Sequence, residues 1–376
     1  MKQKQVEQDM PTTATKINFA PGVISSLDVN AFKNVLVLTG TQYSLEIFEK
    51  QIRPLIKANV HVYPNICSNL TDHVIYGALN FASDKNIDCI VSVGPAAVMN
   101  CGRFVSLLLT HGGFLHDYLP GGTIGPQGIH PNKIYHITVP TMPSAGYEIS
   151  NFAHFYHGTD KHMILSPYLI PKATYIDPLI MRKLPAELWS VLGFDCFATA
   201  LMAYVSMYAN PTSDAYATQA MASILTCHKK VMKDPDNIEH IMQMCAASIN
   251  SFLATNYSST GAIHAIGSAL AARFGFQYGT ALALVAAEVC SFCYTSNKRR
   301  FDEVAKSLGV QGGSATAIKS AINGLIKKMG VKLPKLKGKI SDGEIEKIAY
   351  SSLNHSMRGN SKELGWPDIV KILGRL

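Results

Sequence analysis

The sequence predicts an N-terminal α/β domain with a parallel sheet, followed by an all-α C-terminal domain. In the first half of the chain, short apolar segments alternate with amphipathic ones, an order typical of a doubly wound parallel sheet. After about residue 178, almost every segment has helical periodicity instead. With 376 residues, 47% of them hydrophobic, the chain is long enough to form two domains of ordinary size.

The strand-like segments of the first half are residues 34–40, 60–64, 87–94 and 131–141. Residues 44–59 and 71–86 lie between them and are amphipathic, which predicts helices, and Thr71 is suited to cap the second one. The helical segments of the second half are residues 185–209, 213–233, 237–257 and 261–275. We therefore expect domains at residues 1–178 and 179–376.

The formal net charge is +8, and much of the excess lies near the C-terminus, at Lys298, Arg299, Arg300 and the lysines of 327–339. This run is typical of a solvated surface, and no aromatic residues interleave with it to stack on bases. The first residues are polar and resemble no secretory signal, and the apolar stretch at 280–289 is too short to span a bilayer. We expect a cytoplasmic protein that binds neither nucleic acid nor membrane; recruitment of an acidic partner by the basic run is an alternative.

Several long stretches are similar to the iron-containing (group III) alcohol dehydrogenases, relatives of glycerol dehydrogenase and dehydroquinate synthase. Residues 161–178 read KHMILSPYLIPKATYIDP, residues 193–199 read GFDCFAT, and residues 209–214 read ANPTSD. Residues 261–284 and 358–373 resemble two further motifs of that family. The resemblance covers nearly the whole chain.

The resemblance implies a dehydroquinate synthase-like fold: a Rossmann-like nucleotide domain, a helical metal domain and a cleft between them. Members commonly bind NAD(P) and one Fe²⁺ or Zn²⁺, held by an aspartate and three histidines, and use them for hydride transfer. They usually form dimers or larger assemblies. A homo-oligomer with a small-molecule ligand in the interdomain cleft is therefore expected.

At the implied metal site the chain departs from the family. Asp195 and His264 match two of the four ligands, but Thr199 and Tyr278 stand where histidines are expected. At the position of a further active-site histidine of the family, this chain has Ser268. Hydroxyl groups are poor replacements for imidazole as ligands of iron or zinc. We therefore expect Asp195 and His264 to be the two remaining ligands of a metal site that holds no metal ion.

The implied cofactor turn is altered as well. The positions in register are Gly94, Ala96, Ala97 and Asn100, with Thr141 on a later segment. Pro95 follows the glycine and has no N–H to donate to a phosphate, and Gly40 stands where members often carry an aspartate for the ribose. These changes predict weak dinucleotide binding at best.

The sequence therefore predicts a member of this family that has lost metal-assisted, NAD(P)-dependent hydride transfer, as a pseudoenzyme or with a repurposed cleft and no cofactor. The alternative is an active oxidoreductase or a metal-independent enzyme acting on a small polar metabolite. In that case Asp195, His264 and Tyr278 would act as acid–base groups, with Ser268 in the same cleft.

Overall fold

The computed structural model describes residues 15–376 except residues 68, 183 and 337–339. The polar N-terminus and the basic-run lysines Lys337 and Lys339 lie outside the described residues. The strands are β1 (Lys16–Phe19), β2 (Asn34–Thr39), β3 (Asn59–Tyr63), β4 (Cys89–Gly94), β5 (Tyr135–Pro140), β6 (Phe152–His157), β7 (Asp160–Leu165) and β8 (Ala173–Ile176). The α-helices are α1 (Gln42–Ile47), α2 (Asp72–Ala82), α3 (Ala96–His111), α4 (Ala186–Val205), α5 (Pro211–Lys233), α6 (Ile238–Asn256), α7 (Ala262–Phe274), α8 (Tyr278–Cys293), α9 (Lys298–Ser307), α10 (Ala315–Met329), α11 (Asp342–Ser351) and α12 (Trp366–Leu373).

The described strands form a parallel sheet in the order β1-β8-β5-β4-β2-β3. Successive side chains point to opposite faces, so Val35 and Val37 join one hydrophobic cluster while Leu36 and Leu38 join another. The first cluster extends into α4, α5 and α6, and the second lies under α2 and α3. Burial on both faces explains the unbroken apolar runs in these strands. The predicted fold class is confirmed.

Two parts of the N-terminal half differ from the prediction. Residues 44–59 are not one continuous helix: α1 ends at Ile47, and a π-turn at Phe48–Ile52 and a 3₁₀ turn at Arg53–Leu55 follow. Pro54 explains why helical turns do not continue past Leu55 as a regular helix, because it lacks the N–H that a continuing helix requires. The antiparallel hairpin β6–β7 was not expected from the pattern. Strands give way to long helices between Ile176 and Ala186, and the domain limits themselves stay a prediction.

The C-terminal half consists of packed helices with α4 near its centre. In the described chain, Ala186–Val205 and Tyr278–Ser296 are apolar and long enough to qualify as membrane spans, but 83% and 67% of their most apolar windows are buried inside the protein. This degree of burial is typical of core helices. The cytoplasmic location stays a prediction.

A close approach of α8 to α4 positions one wall of the cleft. A Cβ atom on Gly279 would lie 2.1 Å from the carbonyl oxygen of Val191 on α4. Only glycine allows the first turn of α8 to come this near to the α4 backbone. The contact holds the neighbouring Tyr278 beside α4 and α7.

We predict that Gly279→Ala destabilises the protein by about 2–3 kcal/mol, because the added methyl group forces the two helix backbones apart. Gly324→Ala is the matched control. Gly324 is exposed on α10 with no atom near its would-be Cβ, so alanine there is expected to add about 0.5–1 kcal/mol through helix propensity. Urea unfolding of both variants tests the contact; equal stabilities would contradict it.

Candidate functional site

In the crevice at the carboxyl ends of β2 and β4, one side chain packs against two glycines. These strands flank the point where the strand order reverses, which is where doubly wound sheets bind ligands. Gly40 follows β2, and Gly94 ends β4. A Cβ on Gly40 would lie 2.9 Å from the side chain of Val98, and a Cβ on Gly94 would lie 2.7 Å from it. Val98, fully buried, therefore covers both glycines.

The same crevice leaves no room for a side chain at the position of the family's ribose-binding aspartate. A Cβ on Gly40 would lie 2.2 Å from the carbonyl oxygen of Ile66. The start of α3 is more open, since Ala96 and Ala97 are half-buried. Its first backbone bonds run from the N–H groups of Val98 and Met99 to the Pro95 carbonyl.

Asn100, the fourth position of the predicted cofactor turn, lies inside the protein. It is fully buried, and its side-chain amide pairs with Nδ1 of His154 at 3.3 Å while its oxygen accepts from Arg103 at 3.4 Å. Arg103 is also fully buried and donates to the carbonyl oxygens of Ser150 and Tyr147. The two side chains therefore tie α3 to the loop that carries Tyr147. Thr141, also buried, donates its backbone N–H to the Gly94 carbonyl.

The predicted metal residues come together from three helices. Asp195 and Thr199 lie one turn apart on α4, His264 lies on α7 and Tyr278 begins α8. The Thr199 hydroxyl is 2.8 Å from the Asp195 carbonyl oxygen and 3.2 Å from Nε2 of His264. Nδ1 of His264 is 3.2 Å from the Tyr278 hydroxyl. Both ring nitrogens are therefore engaged.

These contacts assign the protons. A carbonyl oxygen and a carboxylate only accept, so the one proton of the Thr199 hydroxyl goes to Asp195, whose carbonyl oxygen lies at 2.8 Å and whose carboxylate shares the same donor. The Thr199 oxygen must then accept from Nε2–H of His264. Burial and the positive charge of Lys161 lower the pKa of His264 to about 3, so the ring is neutral and Nδ1 accepts from the Tyr278 hydroxyl. We call this sequence, from Tyr278 through His264 and Thr199 to the Asp195 carbonyl, the His264 chain.

The remaining predicted site residues have separate surroundings. Ser268 is fully buried, and its hydroxyl donates to the Ala265 carbonyl at 2.9 Å within the same helix. Asp195 is not a hydrogen-bonding partner of His264 through its carboxylate. Its Oδ1 atom is buried and has no partner among the described residues. A catalytic role for Ser268 stays a prediction.

One lysine in the cleft was not among the predicted site residues, since it was noted only in the motif at residues 161–178. Lys161, on β7, places its ammonium 5.2 Å from the centre of the Tyr278 ring. Among the described residues it has no hydrogen-bond or ion-pair partner for that ammonium. Side chains alternate between the two faces of the hairpin β6–β7, and Lys161 pairs with Tyr156 and so shares its face with Tyr156 and His154. This alternation is the signal that could have placed Lys161 with them.

The charges of Lys161 and Asp195 act on each other across the cleft. Burial lowers the pKa of Lys161 to about 8, and the nearby Asp195 opposes that shift. Burial raises the pKa of Asp195 to about 7, against the effects of Lys161 and Thr199. The Asp195 charge also contributes to raising the pKa values of Tyr147 and Tyr278, after burial itself. The cleft thus contains one basic and one acidic group, both half-buried, whose opposite charges stabilise each other.

Comparison with known proteins agrees with this architecture. The family model for iron-containing alcohol dehydrogenase matches residues 14–178, and the model for the C-terminal part of the Fe-containing alcohol dehydrogenase family matches residues 191–376. Long-chain-alcohol dehydrogenase 1 of Geobacillus thermodenitrificans is 24% identical over 74% of this chain and 70% of its own length. NAD-dependent methanol dehydrogenase of Bacillus methanolicus is 24% identical over 77% of this chain and 76% of its own.

Solved structures resemble the chain over almost its full length. A 1,3-propanediol oxidoreductase superposes with a TM-score of 0.84 at 22% identity, covering 96% of this chain and 97% of that one. NADH-dependent butanol dehydrogenase A of Thermotoga maritima superposes with a TM-score of 0.86 at 20% identity, covering 96% of each chain. Together, the two family models and the shared two-domain fold show that this chain belongs to the iron-containing alcohol dehydrogenase family.

Proposed function

We propose that this chain keeps the fold of its family without the family's metal-assisted transfer of hydride to or from a dinucleotide, and that its cleft binds a small polar molecule instead. The observation that carries the proposal is the His264 chain. Nε2 of His264 carries a proton donated to Thr199, and the lone pair on Nδ1 accepts from Tyr278. Neither nitrogen is free to hold a metal ion.

The donor set does not fit iron or zinc. Beyond His264, the cleft offers the Asp195 carboxylate, a threonine hydroxyl and a phenol whose pKa is raised by burial. Divalent iron and zinc are held by imidazole, thiolate and carboxylate groups, usually three or more. No group of three histidine, cysteine, aspartate or glutamate side chains is placed to hold a metal ion within the part of the chain that is described.

The crevice of the sheet also fits a dinucleotide poorly. A Cβ on Gly40 would lie 2.2 Å from the carbonyl oxygen of Ile66, so no carboxylate side chain can stand there to bind a ribose. Pro95 offers no N–H at the turn. Relatives are named NAD-dependent and NADH-dependent dehydrogenases. This chain would therefore be a member of the family that binds neither the metal ion nor the dinucleotide.

A second candidate function is a metal-independent enzyme acting on a small polar metabolite, and the position of Lys161 favours it. In such an enzyme Asp195, His264 and Tyr278 would be acid–base groups, as the sequence suggested. The proton of Tyr278 is already donated to His264, so we assign the first exchange of protons with a ligand to Asp195 and Lys161. A homo-oligomer remains our expectation for either function.

Metal analysis tests the proposal. We expect the purified protein to contain far less than one iron or zinc per chain, because two ligands are missing. The double variant Thr199→His and Tyr278→His should bind about one metal ion per chain, since it completes a set of one carboxylate and three imidazoles. Adding His264→Gln to that double variant is the control, and should abolish the binding.

The same preparations titrated by calorimetry with NAD⁺ and NADPH should give no heat of binding. A wild-type protein that retains about one metal ion per chain after dialysis, and oxidises simple alcohols with either dinucleotide, would overturn the proposal.

The His264 chain makes a separate prediction for nuclear magnetic resonance. With ¹⁵N-labelled histidine, the ring of His264 should carry its proton on Nε2 and should not titrate between about pH 5 and 8, because burial and Lys161 hold its pKa near 3. His264→Gln identifies the signal. Protonation of Nδ1 alone, or an ordinary titration near pH 6.5, would contradict the assignment.

A further inference from the structure

A cavity of about 410 Å³ lies in the C-terminal half of the protein, apart from the cleft of the His264 chain. Its walls come from α8, α10, residues 333–336 and the last two residues of the sequence. Glu288, on the α8 wall, lies ten residues beyond Tyr278, about 15 Å further along the helix axis. Small-molecule sites in proteins commonly have volumes of about 300–1,000 Å³. The cavity is therefore large enough for a ligand of its own.

One carboxylate oxygen in the wall of this cavity is buried without a hydrogen-bond partner. Glu288 is only 7% exposed, and its Oε1 atom forms an ion pair with Lys319 on α10. Its Oε2 atom is buried as well, but accepts from no described residue. Buried polar atoms in folded proteins nearly always have a partner, and each oxygen of a carboxylate can accept. The Oε2 atom therefore indicates an N–H or O–H donor on a molecule inside the cavity.

The rim of the cavity has the opposite character. Lys335 and Arg375 both line it and are exposed, and neither side chain has a hydrogen bond or an ion pair with a described residue. The Arg375 guanidinium lies 5.9 Å from the centre of the Phe292 ring, which positions it against α8. A guanidinium binds a carboxylate through two parallel hydrogen bonds. The rim therefore suits an anionic group, whereas the buried wall suits a donor.

Much of the remaining wall is aliphatic. Leu284 and Ala287 lie on the same face of α8 as Glu288, three or four residues away, and Leu333 and Pro334 lie on the other side of the cavity. Leu333 is 40% exposed, which is unusual for a large apolar side chain beside a cavity. A hydrocarbon group that covered it would remove apolar surface from water. The walls therefore favour a ligand with an aliphatic part.

We infer that this cavity binds an amino acid with an aliphatic side chain. The α-ammonium group of the ligand donates to Oε2 of Glu288, its α-carboxylate accepts from Arg375, and its side chain packs against Leu333 and the other aliphatic residues of the wall. An aliphatic acid would leave Oε2 without a donor, and an aliphatic amine would leave Arg375 without an acceptor. A zwitterion satisfies both and adds no net charge. The inference is independent of the proposed function, because none of these residues belongs to the His264 chain.

L-Leucine is the probe for the test, and its dissociation constant is measured by ligand-observed nuclear magnetic resonance near neutral pH. Two comparison probes each lack one charged group of leucine: 4-methylpentanoate has no ammonium group, and 3-methylbutylamine has no carboxylate. We expect leucine to bind about tenfold more tightly than either, because each comparison probe loses one charge-assisted hydrogen bond. Equal or tighter binding of either comparison probe would overturn the inference.

Glu288→Gln keeps the shape of the side chain and removes its charge. We expect it to weaken leucine binding about tenfold, the usual loss when a hydrogen bond to a charged group becomes a neutral one. It should not weaken the binding of 4-methylpentanoate, which has no ammonium group to lose. Glu344→Gln is the matched control, because Glu344 is also ion-paired, with Arg273 at 2.9 Å, but does not line the cavity. It should change leucine binding by less than about twofold.

Arg375→Gln tests the other end of the ligand and keeps the inference testable if Glu288→Gln does not fold, since Arg375 is exposed. We expect it to weaken leucine binding about tenfold and to change the binding of 3-methylbutylamine by less than about twofold. Unfolding temperatures show which variants are folded. Absence of leucine binding to the wild type, or a folded Glu288→Gln or Arg375→Gln variant that binds leucine as well as the wild type, would overturn the inference. Neither result would affect the proposed function, which depends on the metal content of the cleft.

Discussion

The hydrogen bonds of one neutral histidine organise the centre of this protein. His264 connects the first turn of α8 to the middle of α4 by accepting from Tyr278 and donating to Thr199. That arrangement depends on the close packing of Gly279 against Val191, which brings Tyr278 within reach. It also depends on burial, which keeps the imidazole uncharged. The residues at which the family resemblance implies a metal site are hydrogen-bonded to one another.

In the cleft that we propose to be without a metal ion, the half-buried Asp195 carboxylate needs another source of positive charge. Burial raises its pKa to about 7, and the positive charge of Lys161 acts against that shift. A protein side chain offers a fixed single charge with three hydrogen-bond donors, whereas a divalent ion offers open coordination positions. The cleft is therefore suited to orienting a polar molecule and less suited to strong polarisation of its oxygen. This difference is the physical basis of our proposal that the chain belongs to the family without its usual chemistry.

Much of the fold could be predicted from the sequence, because its signals are local. Apolar runs of strand length, glycine at the strand ends and helical periodicity after residue 178 are enough for the two-part architecture. The replacements at Thr199 and Tyr278 could also be recognised, since they depend on register alone. The prediction of one continuous helix at residues 44–59 was wrong, because Pro54 interrupts the helical hydrogen bonds.

The inner face of the site could not be predicted in the same way. Lys161 is separated from Asp195 by more than thirty residues, and only the folded hairpin β6–β7 brings its ammonium to the helices. Val98 looked like an ordinary apolar residue of α3, and its position above Gly40 and Gly94 follows from the sheet order. Asn100 kept the size of the expected residue, but its burial beside Arg103 and His154 could not be deduced from register. These are contacts between distant parts of the chain.

The measurement that tests the central claim most directly is a crystal structure of the protein grown with excess Fe²⁺ or Zn²⁺, with anomalous diffraction recorded at the absorption edge of the metal. We predict no anomalous peak between Asp195 and His264, and an unbroken His264 chain. A metal peak within coordinating distance of Asp195 and His264, with Thr199 or Tyr278 displaced from the imidazole, would contradict it.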